Sequence, residues 1–187
     1  MNILSIDTSG KSFSLTLVKD SIKTSFVDTS ESVSSESVLV EIDKLVSKCK
    51  ISPKEITSVI YNNGPGSFTG VRVSSAIVQA IGFSNNCPVY GINSLMLIAY
   101  SLYIKNNTSK VQVIKKAFGD QVFHGLIHLT SESCLSGDSI KISTFSDVEI
   151  DDDYILITDD SNIISNMKDN YYFIDKFVGS ELLIDYY

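Results

Sequence analysis

Two short segments of this sequence gather residue types that bind phosphate groups. The first, Asp7-Thr8-Ser9-Gly10, puts a carboxylate, two hydroxyls and a glycine directly after the apolar run Ile3-Leu4-Ser5-Ile6. The second, Gly64-Pro65-Gly66-Ser67-Phe68-Thr69-Gly70, sets three glycines and a proline between an expected strand at 58–62 and an expected helix at 70–84. Glycines there permit positive φ and close backbone approach. Ser67 or Thr69 can cap the helix, whose N-terminus can face an anion. The spacing fits neither a dinucleotide fingerprint, where the sixth place would be Gly and here is Thr69, nor a Walker A loop, which needs Gly-Lys-Ser/Thr. Two readings stay open. Asp7, Gly66, Ser67, Thr69 and Gly70 are the candidate residues of a ligand loop, or both segments are tight turns that use Asp and Gly for backbone reasons.

Other reactive groups are sparse. His124 and His128, the two histidines, fall in Val122-Phe123-His124-Gly125-Leu126-Ile127-His128, which reads as a strand. Four residues along a strand separate them by roughly 13 Å, too far to share a metal. The three cysteines, Cys49, Cys87 and Cys134, form no CxxC pair and read as reduced thiols. No G-x-S-x-G elbow surrounds Ser67. Seven acidic residues between 147 and 160 lack EF-hand spacing and read as a solvated loop.

The elements that must position these groups follow from periodicity. Strands are expected at 2–6, 13–18 and 21–28. A serine-rich stretch then leads to a helix ending near Cys49, with Val38, Ile42 and Leu45 at helical spacing. Ser52-Pro53-Lys54-Glu55 is a capping box. Strands at 58–62 and 88–92 alternate with helices at 70–84 and from 93 or 94 to 104. Asn106-Asn107-Thr108-Ser109 reads as a boundary. Beyond it come a hairpin about Gly119-Asp120, strands near 140–142, 154–158 and 171–174, a helix at 162–168, and a partly ordered tail at 180–187. This order predicts an α/β chain with mixed sheets flanked by helices. Residues 70–84 are apolar almost all round, so that helix is either an ordinary buried core helix or one that also meets another chain.

Charge and length narrow the function. The 187 residues carry a net charge of −7, which argues against a free-standing nucleic-acid binder but allows a subunit that helps a partner act on RNA. Without a signal-like N-terminus or a long apolar run, the expected location is the cytoplasm, with no membrane contact.

The opening Ile3-Leu4-Ser5-Ile6-Asp7-Thr8-Ser9, the central Gly64 to Arg72 and the later Gly91-Ile92-Asn93-Ser94-Leu95 together resemble the TsaB (YeaZ) family. That family is a bacterial subunit required for threonylcarbamoyl modification of adenosine 37 in tRNA. The resemblance spans residues 1–100 and is weak from 105 to 187. It implies an actin/Hsp70-like ATPase fold of two ribonuclease-H-like lobes, at 1–105 and 106–187, the second trimmed. It also implies a non-catalytic subunit that pairs with TsaD and TsaE, meets tRNA only indirectly, and forms a homodimer when isolated. ATP and metal are then expected in the partner and none on this chain alone. The TsaD-binding surface is expected on helices 36–49 and 70–84, with Val38, Ile42, Leu45, Arg72, Ser75 and Gln79 as interface residues. The chain departs from the family at Ser34, Ser35 and Ser37, where a His is frequent, and at Lys116-Ala117-Phe118, where Asp-Ala-Arg is usual. A self-sufficient ATP-dependent small-molecule kinase of the same fold is the competing expectation. It needs a second phosphate loop and a catalytic carboxylate, and only Gly119-Asp120 comes near.

Overall fold

The computed structural model describes residues 1–10, 12–28, 30, 33–129, 136–137, 140–159, 171–173 and 179–186. They form two units: Met1–Ser94 together with Val178–Tyr187, and Leu95–Phe177.

The first unit is built on a five-stranded sheet. Its strands are β1 (Asn2–Asp7), β2 (Phe13–Lys19), β3 (Ile22–Asp28), β4 (Ser58–Asn62) and β5 (Val89–Ile92), in the order β3-β2-β1-β4-β5. β1 pairs antiparallel with β2 and parallel with β4. Side chains alternate across a strand, so β1 and β2 sort their residues onto two different faces. Leu4, Ile6, Phe13, Leu15 and Leu17 join the apolar core with Val38, Ile42, Leu45 and Val46. The opposite face carries Ser5, Asp7, Ser14 and Thr16, all buried, with Ser5 opposite Thr16 and Asp7 opposite Ser14.

Two helices belong to the apolar face. α1 (Ser35–Lys48) starts from the N-cap Ser34, whose hydroxyl accepts the Ser37 N–H in a capping box. The expected box at Ser52 and Glu55 caps a 3-10 turn, Pro53–Glu55. α2 (Phe68–Asn85) starts from Ser67 and ends at Asn86 in the left-handed conformation. The hydroxyl-lined face is covered by a last helix, Gly179–Tyr186, which packs across β1, β2 and β4. Where the sequence suggested only a partly ordered tail, this segment is an integral layer of the first unit.

In the second unit, α3 (Ser94–Asn106) precedes β6 (Lys110–Lys116), β7 (Gln121–His128), β8 (Ser136–Gly137), β9 (Lys141–Thr144), β10 (Ile155–Thr158) and β11 (Tyr171–Phe173). The sheet runs β11-β10-β6-β7-β8, and β9 also pairs with β7. Leu95, Ile98, Ala99 and Leu102 of α3 bury against Val111, Val113 and Ile127. This contact explains why the units divide at Ser94 and not at residue 105: the apolar face of α3 is committed to the second sheet. The acidic stretch is anchored, since buried Gln112 donates to the Glu149 carbonyl at 2.7 Å and accepts the Asp151 N–H at 3.0 Å. The helix expected at 162–168 lies outside the described residues, as does Cys134.

The helix Gly179–Tyr186, last in the chain order, is α4.

Candidate functional site

The two glycine-bearing segments meet, as one site would require, but they meet each other. The Ser67 N–H donates to the Ser9 carbonyl at 2.7 Å, and the Thr8 hydroxyl donates to the Gly70 carbonyl at 2.6 Å. A Cβ on Gly66 would stand 2.8 Å from Ser9 Cβ, and one on Gly70 would stand 2.9 Å from the Thr8 carbonyl carbon and nearer still to its oxygen. Both contacts are far inside normal carbon separation. These glycines therefore serve backbone-on-backbone approach. Gly64, at φ +91°, turns the chain, and its carbonyl accepts the Ser94 N–H at 2.8 Å while the Ser94 hydroxyl holds the Pro65 carbonyl.

Asn62 ties the assembly together, a role that nothing in its sequence setting signals beyond its place at a strand end. Its amide nitrogen donates to Asp7 Oδ2 at 3.2 Å and Ser9 Oγ at 2.9 Å, and its oxygen accepts the Gly64 N–H at 2.9 Å. Asp7 Oδ1 accepts the Ser9 N–H at 2.9 Å. Asp7 is only 5% exposed.

The remaining side of Asp7 is closed by α4. A Cβ on Gly179 would lie 2.6 Å from Asp7 Cγ and closer to Oδ2, so the helix start rests directly on the carboxylate. Ser180 then binds the hydroxyl row. Its carbonyl accepts from Ser5 at 2.7 Å, its N–H donates to Ser14 Oγ at 3.1 Å, and its hydroxyl pairs with Thr16 at 2.9 Å.

Asp7, Gly66, Ser67 and Gly70 thus come together, with Gly66 and Gly70 against the backbone of Thr8 and Ser9, and Thr69 lies apart on the exposed first turn of α2. His124 sits on β7 with its Nε2 2.9 Å from Ser143 Oγ, and burial, followed by the charge of Lys141, pulls its pKa below the usual histidine value. Among the described residues no group of three His, Cys, Asp or Glu side chains is placed to hold a metal. No helix among them is long and apolar enough to cross a membrane.

The surface of α1 and α2 offers a different kind of site. Val38, Ile42 and Leu45 do not form it: they point into the core, each no more than 5% exposed, because this side of α1 is the one that meets the sheet. The outer side carries Leu39 and Val40, each about half exposed. From α2, Phe68, Arg72, Ala76, Gln79, Ala80 and Phe83 face outward, and Ser75 is half-buried beneath the Gln79 amide that donates to it at 3.0 Å. Between the helices and the 3-10 turn runs a groove of about 660 Å³ floored by Leu39, Ala76, Ile77, Ala80 and Ile81. A smaller cleft of about 370 Å³ adjoins it at the helix starts, with Ser35, Phe68, Thr69 and Arg72 on its walls.

Residues 29–130, more than half the chain, match the family model described as TsaD: tRNA N6-adenosine threonylcarbamoyltransferase. A TsaB, tRNA threonylcarbamoyladenosine biosynthesis protein, of Buchnera aphidicola subsp. Schizaphis graminum is 31% identical over 66% of this chain and 59% of its own. The chain belongs to the TsaB (YeaZ) group of the TsaD family. The TsaB of Escherichia coli strain K12 is 29% identical over 59% of this chain and 48% of its own. The matches thus span about half the length of these curated relatives. YeaZ from Pseudomonas aeruginosa superposes with a TM-score of 0.83 at 19% identity, covering 98% of this chain and 89% of that one. The fold is accordingly the actin-like, ribonuclease-H-like α/β fold with mixed sheets flanked by helices.

Proposed function

We propose that this chain is a partner subunit, without transfer chemistry of its own, in tRNA threonylcarbamoyladenosine biosynthesis. It docks the catalytic subunit TsaD through the outer face of α1 and α2. The observation that carries this reading is the apolar groove between those helices, an exposed apolar surface of the kind that marks a protein contact site. A second observation supports the absence of own chemistry: Asp7, the one carboxylate of the two loop segments, is buried and held by Asn62, the Ser9 N–H and the start of α4. Shared membership with TsaB proteins, whose name places them in the same biosynthesis, agrees with both. TsaE is the further partner of the complex, tRNA is met through TsaD, and the isolated chain self-associates through the same face.

The decisive test is complementation. In cells lacking their own TsaB, this chain together with TsaD from its own genome restores the modification, measured by nucleoside mass spectrometry. Replacing Ala80 with Trp in the groove removes that rescue. Magnesium-dependent ATP turnover by the purified chain alone, with no rescue in cells, would instead support the kinase reading and sink this one.

A further inference from the structure

One charged group of α2 has no ionic partner among the described residues. Arg72 is the sole charged residue among the eighteen of α2. Its guanidinium carbon lies 3.8 Å from the centroid of the Phe68 ring, one turn earlier on the same helix. Among the described residues it has no ion pair and no hydrogen bond. Stacking on a ring leaves the edge of the guanidinium plane, with its forked N–H donors, free for a second group. It also restricts a long side chain before any partner arrives, which lowers the ordering cost of binding.

The surroundings favour an anion. Arg72 and Phe68 line the smaller cleft with Ser35, Thr69, Val73 and Ala76, and no acidic residue lines it. Phe68 is the first residue of α2, whose first turn carries no acidic residue, so one positive helix end borders it; at the start of α1, Glu36 beside Ser35 offsets that helix's end. Ser35 and Ala76 belong to both the cleft and the apolar groove, so the two are continuous. A cationic pocket at one end of an oily channel matches one kind of occupant: an apolar helix that bears a carboxylate at one end.

We infer that Arg72, backed by Phe68, receives an Asp or Glu carboxylate from the docking helix of the TsaD partner in a fork-to-fork pair. This rests on the docking reading above and adds its specificity element. The apolar groove supplies area, and Arg72, stacked in place at the Ser35 end away from Lys54, sets the register of the partner helix.

The test is titration calorimetry with purified TsaD from the same genome at low and moderate salt, using chains whose folding is checked by circular dichroism. Arg72→Gln weakens binding on the order of ten- to a hundredfold and flattens the salt dependence, as expected for loss of a charge-assisted pair. Arg72→Lys recovers only part, because an ammonium cannot present the planar fork. Arg72→Glu is rescued by Lys at one acidic position of the partner's docking helix. If Arg72→Gln binds within twofold of wild type while Ala80→Trp abolishes binding, the carboxylate receptor is wrong and the docking face stands. If neither change matters, the docking face itself falls. Inorganic phosphate bound by the chain alone and competing with TsaD makes the cleft a free-anion site and overturns the inference. So does an Arg72→Gln effect confined to self-association.

Discussion

Replacing Gly70 with Ala should destabilise the first unit, although Ala is the better helix former. Gly70 is the third residue of α2, where the change alone favours folding by roughly 0.5–1 kcal/mol. Against this, the new Cβ would stand 2.9 Å from the Thr8 carbonyl carbon, where carbon pairs sit at about 3.5–4.0 Å. The start of α2 must lift by about 1 Å. That shift stretches the Thr8 hydroxyl bond to Gly70, now 2.6 Å, and the Ser67 N–H bond to Ser9, now 2.7 Å. Two buried bonds at about 1 kcal/mol each, plus about 1–3 kcal/mol for a group left unsatisfied, exceed the helix gain. The net loss is about 2–4 kcal/mol, a fall in melting midpoint on the order of 5–15 °C for a chain of this size. Thermal circular dichroism measures it. Gly10→Ala is the control, because its nearest neighbour atom would be 3.6 Å away, and it should stay within about 0.5 kcal/mol of wild type. A Gly70→Ala chain that melts at or above the wild-type midpoint refutes the claim that these glycines exist to let two loops touch.

Leu45→Ala, in the core, should cost about 2–5 kcal/mol in urea unfolding, whereas Leu39→Ala leaves stability nearly unchanged and weakens TsaD binding. Gly179→Val should push α4 off Asp7 and raise hydrogen exchange in 179–186 and β1 while β6 and β7 keep their protection. Because burial and then Lys141 depress the His124 pKa, the unfolded chain binds more protons just below pH 6.5. The His124 contribution to stability is therefore full above about pH 6.5 and is lost as pH falls through the depressed value; His124→Gln should flatten that part of the stability profile. In an NMR titration, Lys141→Gln should move the His124 midpoint upward, though not fully to 6.5, since burial remains.

Local signals carried far along this chain. Ser52 and Glu55 form the box that their spacing announces, and the alternation in 13–18 marks both faces of β2. What spacing does not reveal is which of two apolar sides a helix turns inward. On α1, Val38, Ile42 and Leu45 share a stripe, but Leu39 and Val40 are apolar too, and only the position of the sheet decides between them. The glycine loop shows the same limit. Gly66 and Gly70 had to approach something closely, and residue type alone does not separate a phosphate from another stretch of backbone. The place of α4 was illegible because its partners Ser5 and Ser14 lie 175 and 166 residues away, and serines give no periodic signal of burial.

That distance in sequence has a consequence during synthesis. Ribosomes deliver about 5–20 residues per second, so β1 and β2 emerge several seconds or more before the helix that seals them. Once α1 and α2 have emerged, they can cover the apolar side of the sheet while the hydroxyl side stays wet. Serine and threonine tolerate the wait, since water satisfies them until Ser180 arrives, whereas a greasy surface there would invite aggregation on the nascent chain.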